Sequence, residues 1–173
     1  QSPPAQIITS QQDTISIASF NIQVFGEAKA SKTDVKHTIA KIINHFDVVA
    51  IQEIRDKSGT AIVKIENMMD ATGTNYDYVI GPRLGRTSSK EQYAYIYRSD
   101  IIETIECTSI EDSFDKFHRE PYMCSFKAKN GNFDFVLITI HTDPDEATAE
   151  IEALLTLALT EARDHFNTER DFI

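Results

Sequence analysis

DVVAIQEIRD, residues 47–56, is a run of apolar residues that gives way abruptly to Gln52, Glu53 and Arg55. A near-continuous apolar run of this kind predicts a strand buried on both faces of a sheet. Helical patterns flank it on either side. Upstream, Val35, Ile39, Ile42, Ile43 and Phe46 recur at helical spacing, with Lys36 and Lys41 on the other face. Downstream, Ala61, Ile62, Ile65, Met68 and Met69 trace a second amphipathic helix, which Gly73 closes. Residues 15–22 form another apolar run, with Ala18 and Phe20 inside it, and predict a further strand buried on both faces.

After residue 73 the period changes. Residues 76–80 read as a strand, and a loop punctuated by glycine and proline follows, GPRLGRTSSK. Next comes EQYAYIYR (91–98), where Tyr93, Tyr95 and Tyr97 alternate with Ala94 and Ile96. Strands over 101–107, 121–126 and 133–140 complete the set, and Asn130-Gly131 supplies a hairpin turn between the last two. Asp143, Pro144 and Glu146 cap a long helix whose apolar face takes in Ile151, Leu154, Leu155, Ala158, Ala162 and Phe166. Glu146, Glu150 and Glu152 fall on its outer, solubilising face. The order of elements predicts a layered domain of mixed α/β class.

Composition narrows the function. The 173 residues suffice for one domain, and 41% hydrophobic with 25% charged residues describes a globular chain. No run approaches a membrane span, so no membrane partner is expected. The net charge of −10 argues against a protein that grips nucleic acid through a broad basic surface. Phosphate binding must rest on a few placed arginines or on a bound cation. Cys107 and Cys124 are too few for a disulfide scaffold and read as small buried hydrophobes; a single disulfide would require their strands to be neighbours. Residues 1–14, polar and carrying Pro3 and Pro4, read as the flexible start of a processed or trimmed chain. At the other end Arg170-Asp171 leads into Phe172-Ile173, the first step of a new strand, so residues 15–173 are expected to be the N-terminal portion of a longer domain.

Several chemically competent residues stand where apolar strands run out: Asn21, Glu53, Arg55, His141 and, at the start of the tyrosine strand, Glu91. Strand ends are where a rigid scaffold presents side chains to one cleft. Each has an ordinary alternative, a turn cap for Asn21, a surface pair between Glu53 and Arg55, a bonded loop residue for His141. Together they point to a site. His37, His45 and His165 lie off apolar faces or near helix ends and read as solvated, whereas His118 sits in a loop beside Arg119 and could approach a phosphate.

Five segments carry a resemblance: SFNIQVFGE (19–27), DVVAIQEIRD (47–56), PRLGRTSSKEQYAYIYR (82–98), DSFDKFHREP (112–121) and ITIHTDP (138–144). Ordered and colinear over most of residues 15–173, they resemble the deoxyribonuclease I group of the endonuclease/exonuclease/phosphatase superfamily. The resemblance implies a four-layer α-β-β-α sandwich, here incomplete at the C-terminus, and a metal-dependent endonuclease acting on DNA. It implies Glu53 as the carboxylate ligand of Mg²⁺ (with Ca²⁺ or Mn²⁺ as variants), Asn21 beside it, and His141 next to the scissile phosphate. It pairs Glu91 with that histidine and sets Arg55, Arg86 and Arg119 toward the DNA backbone or minor groove. The chemistry is coherent, because an imidazole titrates near neutrality and a neighbouring carboxylate fixes its tautomer.

The chain also departs from the group. Gln23 replaces an arginine two residues after the first-strand asparagine, and Ser89 replaces a groove-packing tyrosine. The short Cys-x-x-Cys loop and its calcium-stabilised neighbour are absent. The motifs Gly-Asp-x-Asn and Ser-Asp-His, which supply a second histidine and the remaining metal ligands, would lie beyond residue 173. The same catalytic set serves sphingomyelinases, inositol polyphosphate phosphatases and abasic-site endonucleases, and a non-catalytic binding module could keep the fold. A secreted or extracytoplasmic location is favoured. The 173 residues alone are expected to expose an apolar sheet face and to leave Phe172-Ile173 unpaired until the rest of the domain, or another copy, covers them.

Overall fold

The alternation in EQYAYIYR sets the layers. The computed structural model describes residues 14–71, 73–169 and 171–173, so the N-terminal expectation lies almost wholly outside it, as does Arg170. Among the described residues, β1 (Ile17–Phe25), β2 (Val48–Ile54), β3 (Tyr76–Ile80) and β4 (Gln92–Arg98) form one sheet in the order β1-β2-β4-β3. A second sheet runs β5-β6-β7, built from Ile102–Ser109, Tyr122–Ala128 and Asp134–Thr139. The β1–β2 pair is parallel and the other pairs are antiparallel. Tyr93, Tyr95 and Tyr97 point from β4 toward the second sheet, where they meet Tyr122, Phe126, Phe135 and Leu137. Ala94 and Ile96 point the other way, into a core shared with α2 (Thr33–Ile43) and α3 (Thr60–Asp70).

The outer face of the second sheet has its own cover. Met123 and Val136 pack against Ala153, Ala158, Ala162 and Phe166 from one long helical segment, α4 (Ala147–Ala153), a π-helical turn (Leu154–Ala158) and α5 (Leu159–His165). Three cores therefore separate four layers, helix, sheet, sheet, helix. This is the sandwich that the resemblance implies. Among the described residues no helix is long and apolar enough to cross a membrane.

Tyr95 locks the two sheets together. It is fully buried, and its hydroxyl lies 2.7 Å from the carbonyl oxygen of Tyr122 and 2.8 Å from that of Leu137, which share its one proton. Tyr95→Phe removes the donor but leaves both carbonyls buried, so it should cost about 1–3 kcal/mol. Urea unfolding checks this, and an unchanged midpoint would show that the hydroxyl contributes nothing.

Four expectations are corrected. β1 is not buried on both faces: among the described residues it pairs only with β2, and only Ile22 and Phe25 along it are buried, because an outermost strand has one neighbour. Among the described residues, the tyrosine side of the first sheet is covered by the second sheet rather than left open. Phe172 is paired rather than free, lying parallel to Val136, with Ile173 N–H donating to the Val136 carbonyl at 2.9 Å. Cys107 and Cys124 are directly opposite on β5 and β6 and form a disulfide.

The last helix also differs from its sequence reading. Ile151 and Leu155 are exposed, at 50% and 62%, while Glu150 is fully buried. Two apolar stripes overlap in that helix. The one carrying small alanines packs, because Ala153, Ala158 and Ala162 let the backbone approach the sheet.

Candidate active site

The site lies where β1, β2 and β7 run out and β4 begins, and the backbone there is unusual. The pairing register breaks between Asn21 and Phe25 and between Ile51 and Ile54. Gln23, Val24 and Glu53 all take positive φ, at 45°, 50° and 64°. Such conformations are costly for residues other than glycine and bulges re-aim side chains, so this strain aims Glu53 and Asn21 into the cleft. Beside them, buried Gln52 donates to Thr139 Oγ1 at 2.8 Å and to Ser19 Oγ at 3.1 Å, which ties the first sheet to β7 next to the site.

Glu53 is held at both oxygens. Asn21 Nδ2 donates to Oε1 at 2.9 Å and Val24 N–H donates to Oε2 at 2.8 Å. His141 Nε2 stands 3.5 Å from Glu53 Oε1 and 3.5 Å from Asn21 Nδ2. Its other nitrogen, Nδ1, lies 2.8 Å from Glu91 Oε2. The expected contact between residues 91 and 141 is therefore present.

Glu91 is buried, placed by an isolated bridge in which it exchanges main-chain bonds with Leu84. Burial alone would raise its pKa. The bond to His141, the Arg55 guanidinium at 2.6 Å and the charge of Arg119 at 3.6 Å outweigh burial and hold it at about 2. At neutral pH it is a carboxylate that can only accept, so His141 Nδ1 must carry a proton. His141 Nε2 then faces the cleft between a donor and an acceptor, both too distant to claim it.

This depressed value has a stability consequence with a definite sign. The group's ordinary value is 4.5, so its contribution to the fold is complete above pH 4.5 and is lost as pH falls toward about 2. Urea unfolding followed down to acid pH should show a loss on the order of 3 kcal/mol that Glu91→Gln does not show. Parallel pH dependences for the two proteins would refute it.

The three arginines differ in placement. Arg55 bonds Glu91 Oε1 through Nε and Nη2, and its side chain is 35% exposed at the cleft. Arg86 is held away by Asp115 and Glu146 at 3.0 and 2.7 Å, and is 32% exposed. Arg119 is buried, with Nε donating to the His141 carbonyl at 2.9 Å. Its guanidinium thus lies beneath the cleft, where Glu91 and a main-chain oxygen compensate its burial, rather than on a surface open to DNA. His118 is also drawn inward, with Nδ1 3.7 Å from Asp143 Oδ2. His165 instead stands 3.0 Å from Glu106 Oε1.

Sequence reasoning missed two supports. Tyr93, read only as a strand residue, accepts the His141 N–H at 2.8 Å, and burial pushes its phenol pKa up, so it stays neutral. Glu150, read as solubilising, accepts main-chain N–H groups from His118 and Asp143. Neither role leaves a periodic signal, because the partners are backbone atoms of loops rather than side chains at regular spacing.

Among the described residues no three His, Cys, Asp or Glu side chains gather into a metal cage. The strand ends offer instead one carboxylate, Glu53, and one carboxamide, Asn21. The carboxylate is a hard oxygen donor, a partial set of the kind Mg²⁺ uses when water and phosphate complete its shell, whereas Asn21 turns Nδ2 toward Glu53 and its Oδ1 accepts the Gln23 N–H at 2.9 Å.

Comparison with known proteins agrees with this architecture. A family model for the Endonuclease/Exonuclease/phosphatase family matches residues 18–168. Deoxyribonuclease-1 of Gallus gallus is 36% identical over 148 residues, covering 82% of this chain and 52% of the relative. Deoxyribonuclease-1-like 2 of Mus musculus is 34% identical over 155 residues, covering 88% and 55%. The chain thus spans about half the length of the curated relatives it matches. In fold it is similar to an endonuclease/exonuclease/phosphatase family protein from Bacteroides thetaiotaomicron, with TM-score 0.65 at 18% identity over 90% of this chain and 60% of that one. The human Nocturnin catalytic domain superposes with TM-score 0.63 at 10% identity, covering 88% and 59%. A strand-end cleft that joins Glu53, Asn21, His141 and Glu91 across two packed sheets, and a family match over nearly the whole described chain, place this protein in the endonuclease/exonuclease/phosphatase family, among relatives of the deoxyribonuclease I kind.

Proposed function

We propose that the complete gene product is a divalent-metal-dependent endonuclease that hydrolyses phosphodiester bonds of DNA with little sequence specificity. Residues 1–173 contribute one part of its active site, and the remaining ligands and the second histidine come from polypeptide beyond residue 173 or from another copy. Without them the 173 residues are inactive. The observation that carries the reading is His141, bound at Nδ1 to a buried carboxylate while Nε2 faces Glu53 and Asn21. In the reaction Glu91 holds the ring and stabilises its charged form, and Nε2 delivers a proton to the oxygen that leaves phosphorus. Glu53, with Asn21 beside it, would hold the cation, Mg²⁺ foremost and Ca²⁺ or Mn²⁺ as substitutes. Such an ion supplies Lewis-acid stabilisation of charge on the phosphoryl oxygens.

Arg55 is the cation at the cleft that would meet the DNA backbone, positioning the duplex without reading bases, and Arg86 would join it by exchanging its Asp115 and Glu146 partners for phosphate. The acidic net charge leaves binding to such placed groups and to the metal. The similarity to proteins named Deoxyribonuclease-1 supports DNA as the substrate. The Cys107–Cys124 disulfide supports a secreted or extracytoplasmic location, where such bonds persist. Supercoiled plasmid incubated with the complete gene product and Mg²⁺ is the test. Nicking that EDTA abolishes is expected, and plasmid left intact in Mg²⁺ would leave a binding module of the same fold as the better description.

A further inference from the structure

We infer that Glu150 is a positioning residue, a buried carboxylate that clamps two loops together and so sets the backbone on which His141 and Arg119 stand. The kinetic part of this inference rests on the function proposed above. Glu150 lies in the first turn of α4 and is fully buried. A carboxylate taken out of water is costly unless its oxygens are bonded. Both are. Oε1 accepts from the His118 N–H at 2.5 Å, and Oε2 accepts from the Asp143 N–H at 2.9 Å.

The two donors belong to different loops, and each adjoins a group of the site. His118 precedes Arg119, whose Nε donates to the His141 carbonyl at 2.9 Å. Asp143 is two residues past His141, whose own N–H donates to Tyr93 Oη at 2.8 Å. Three anchors therefore fix the backbone around His141: the Tyr93 hydroxyl on its N–H, Arg119 on its carbonyl, and Glu150 on the N–H two residues on. Glu150 controls the third directly and the second through His118. It touches neither Glu53, Asn21 nor the imidazole, so it acts only through the geometry it imposes. Each of its bonds is charge-assisted and stronger than a neutral one. No single neutral side chain reproduces the pair. In Glu150→Gln the carboxamide oxygen can satisfy one N–H, but the NH₂ group then opposes the other and releases one loop.

A carboxylate that merely favoured the start of a helix would change melting temperature and leave turnover alone. The test uses the complete gene product with Glu150→Gln, and with Glu152→Gln as an exposed control on the same helix. Amide hydrogen exchange at His118 and Asp143 is measured together with kcat and KM on a defined DNA duplex. In the parent protein both amides are protected; in Glu150→Gln at least one loses protection, kcat falls on the order of 10- to 100-fold, and KM stays within about twofold. Glu152→Gln changes none of these. An unchanged kcat in Glu150→Gln overturns the inference, and so does a rise in KM alone. If Glu150→Gln does not fold, Glu150→Asp replaces it, because the shortened arm reaches only one loop. If the parent protein fails to nick DNA the proposed function falls, and exchange at the two amides still decides the clamp: unprotected amides overturn it.

Discussion

His141→Ala in the complete gene product is expected to lower kcat for plasmid nicking by about three orders of magnitude while the protein still folds, at some cost in stability. A positioned proton donor contributes roughly 10²–10⁴-fold, and this histidine is the described group whose free nitrogen faces the cleft. The fold should survive. His141 follows the end of β7 and is partly exposed, and its main-chain bonds to Tyr93 and Arg119 do not need the ring. The loss of the imidazole does strand Glu91, which keeps Arg55 at 2.6 Å as a partner. Kinetics and urea unfolding on the same preparation check both halves. A kcat within tenfold of the parent would remove His141 from the proton-transfer role.

The second large effect is expected at Glu53. Glu53→Gln keeps the size of the side chain and its capacity to accept from Val24 N–H, but removes the one carboxylate on the metal-facing wall. Nicking at ordinary Mg²⁺ concentration should fall by about 10³-fold, a loss of several kcal/mol of transition-state stabilisation. Raising Mg²⁺ should recover part of it if weakened binding is the cause. Undiminished nicking by Glu53→Gln would leave the proposed cation without its ligand and sink the assignment. The two variants fail in distinguishable ways, since added metal cannot restore a missing imidazole.

How far the sequence speaks depends on whether a residue's partners are set by periodicity. Tyr93, Tyr95 and Tyr97 were legible because β4 is buried on both faces by different layers. The wide gap between the sheets takes tyrosines, while the close approach to α2 and α3 takes Ala94 and Ile96. The cleft was legible because polar residues that interrupt buried strands have to face something. The disulfide was not, since pairing Cys107 with Cys124 depends on a β5–β6 register that includes a shift between Thr104 and Glu106. Nor was the burial of Glu150 and Arg119. Charged residues are read as solvated unless a partner is in view, and theirs are mostly loop main-chain atoms and, for Arg119, the buried Glu91 carboxylate, none of them marked by spacing along the sequence.

The Cys107–Cys124 bond also decides what a protease would leave behind. Between the two cysteines the chain runs out into the loop that carries Phe114, which is 74% exposed, before it returns to Phe117, His118 and Arg119. An exposed loop tip with a large aromatic residue is an ordinary place for a chymotrypsin-like cut. A cut there would fall inside the span closed by the disulfide, so the two pieces would remain one covalent molecule. Such nicked protein would migrate as a single band without reductant and as two bands with it, and its cleft could outlast the break in its backbone.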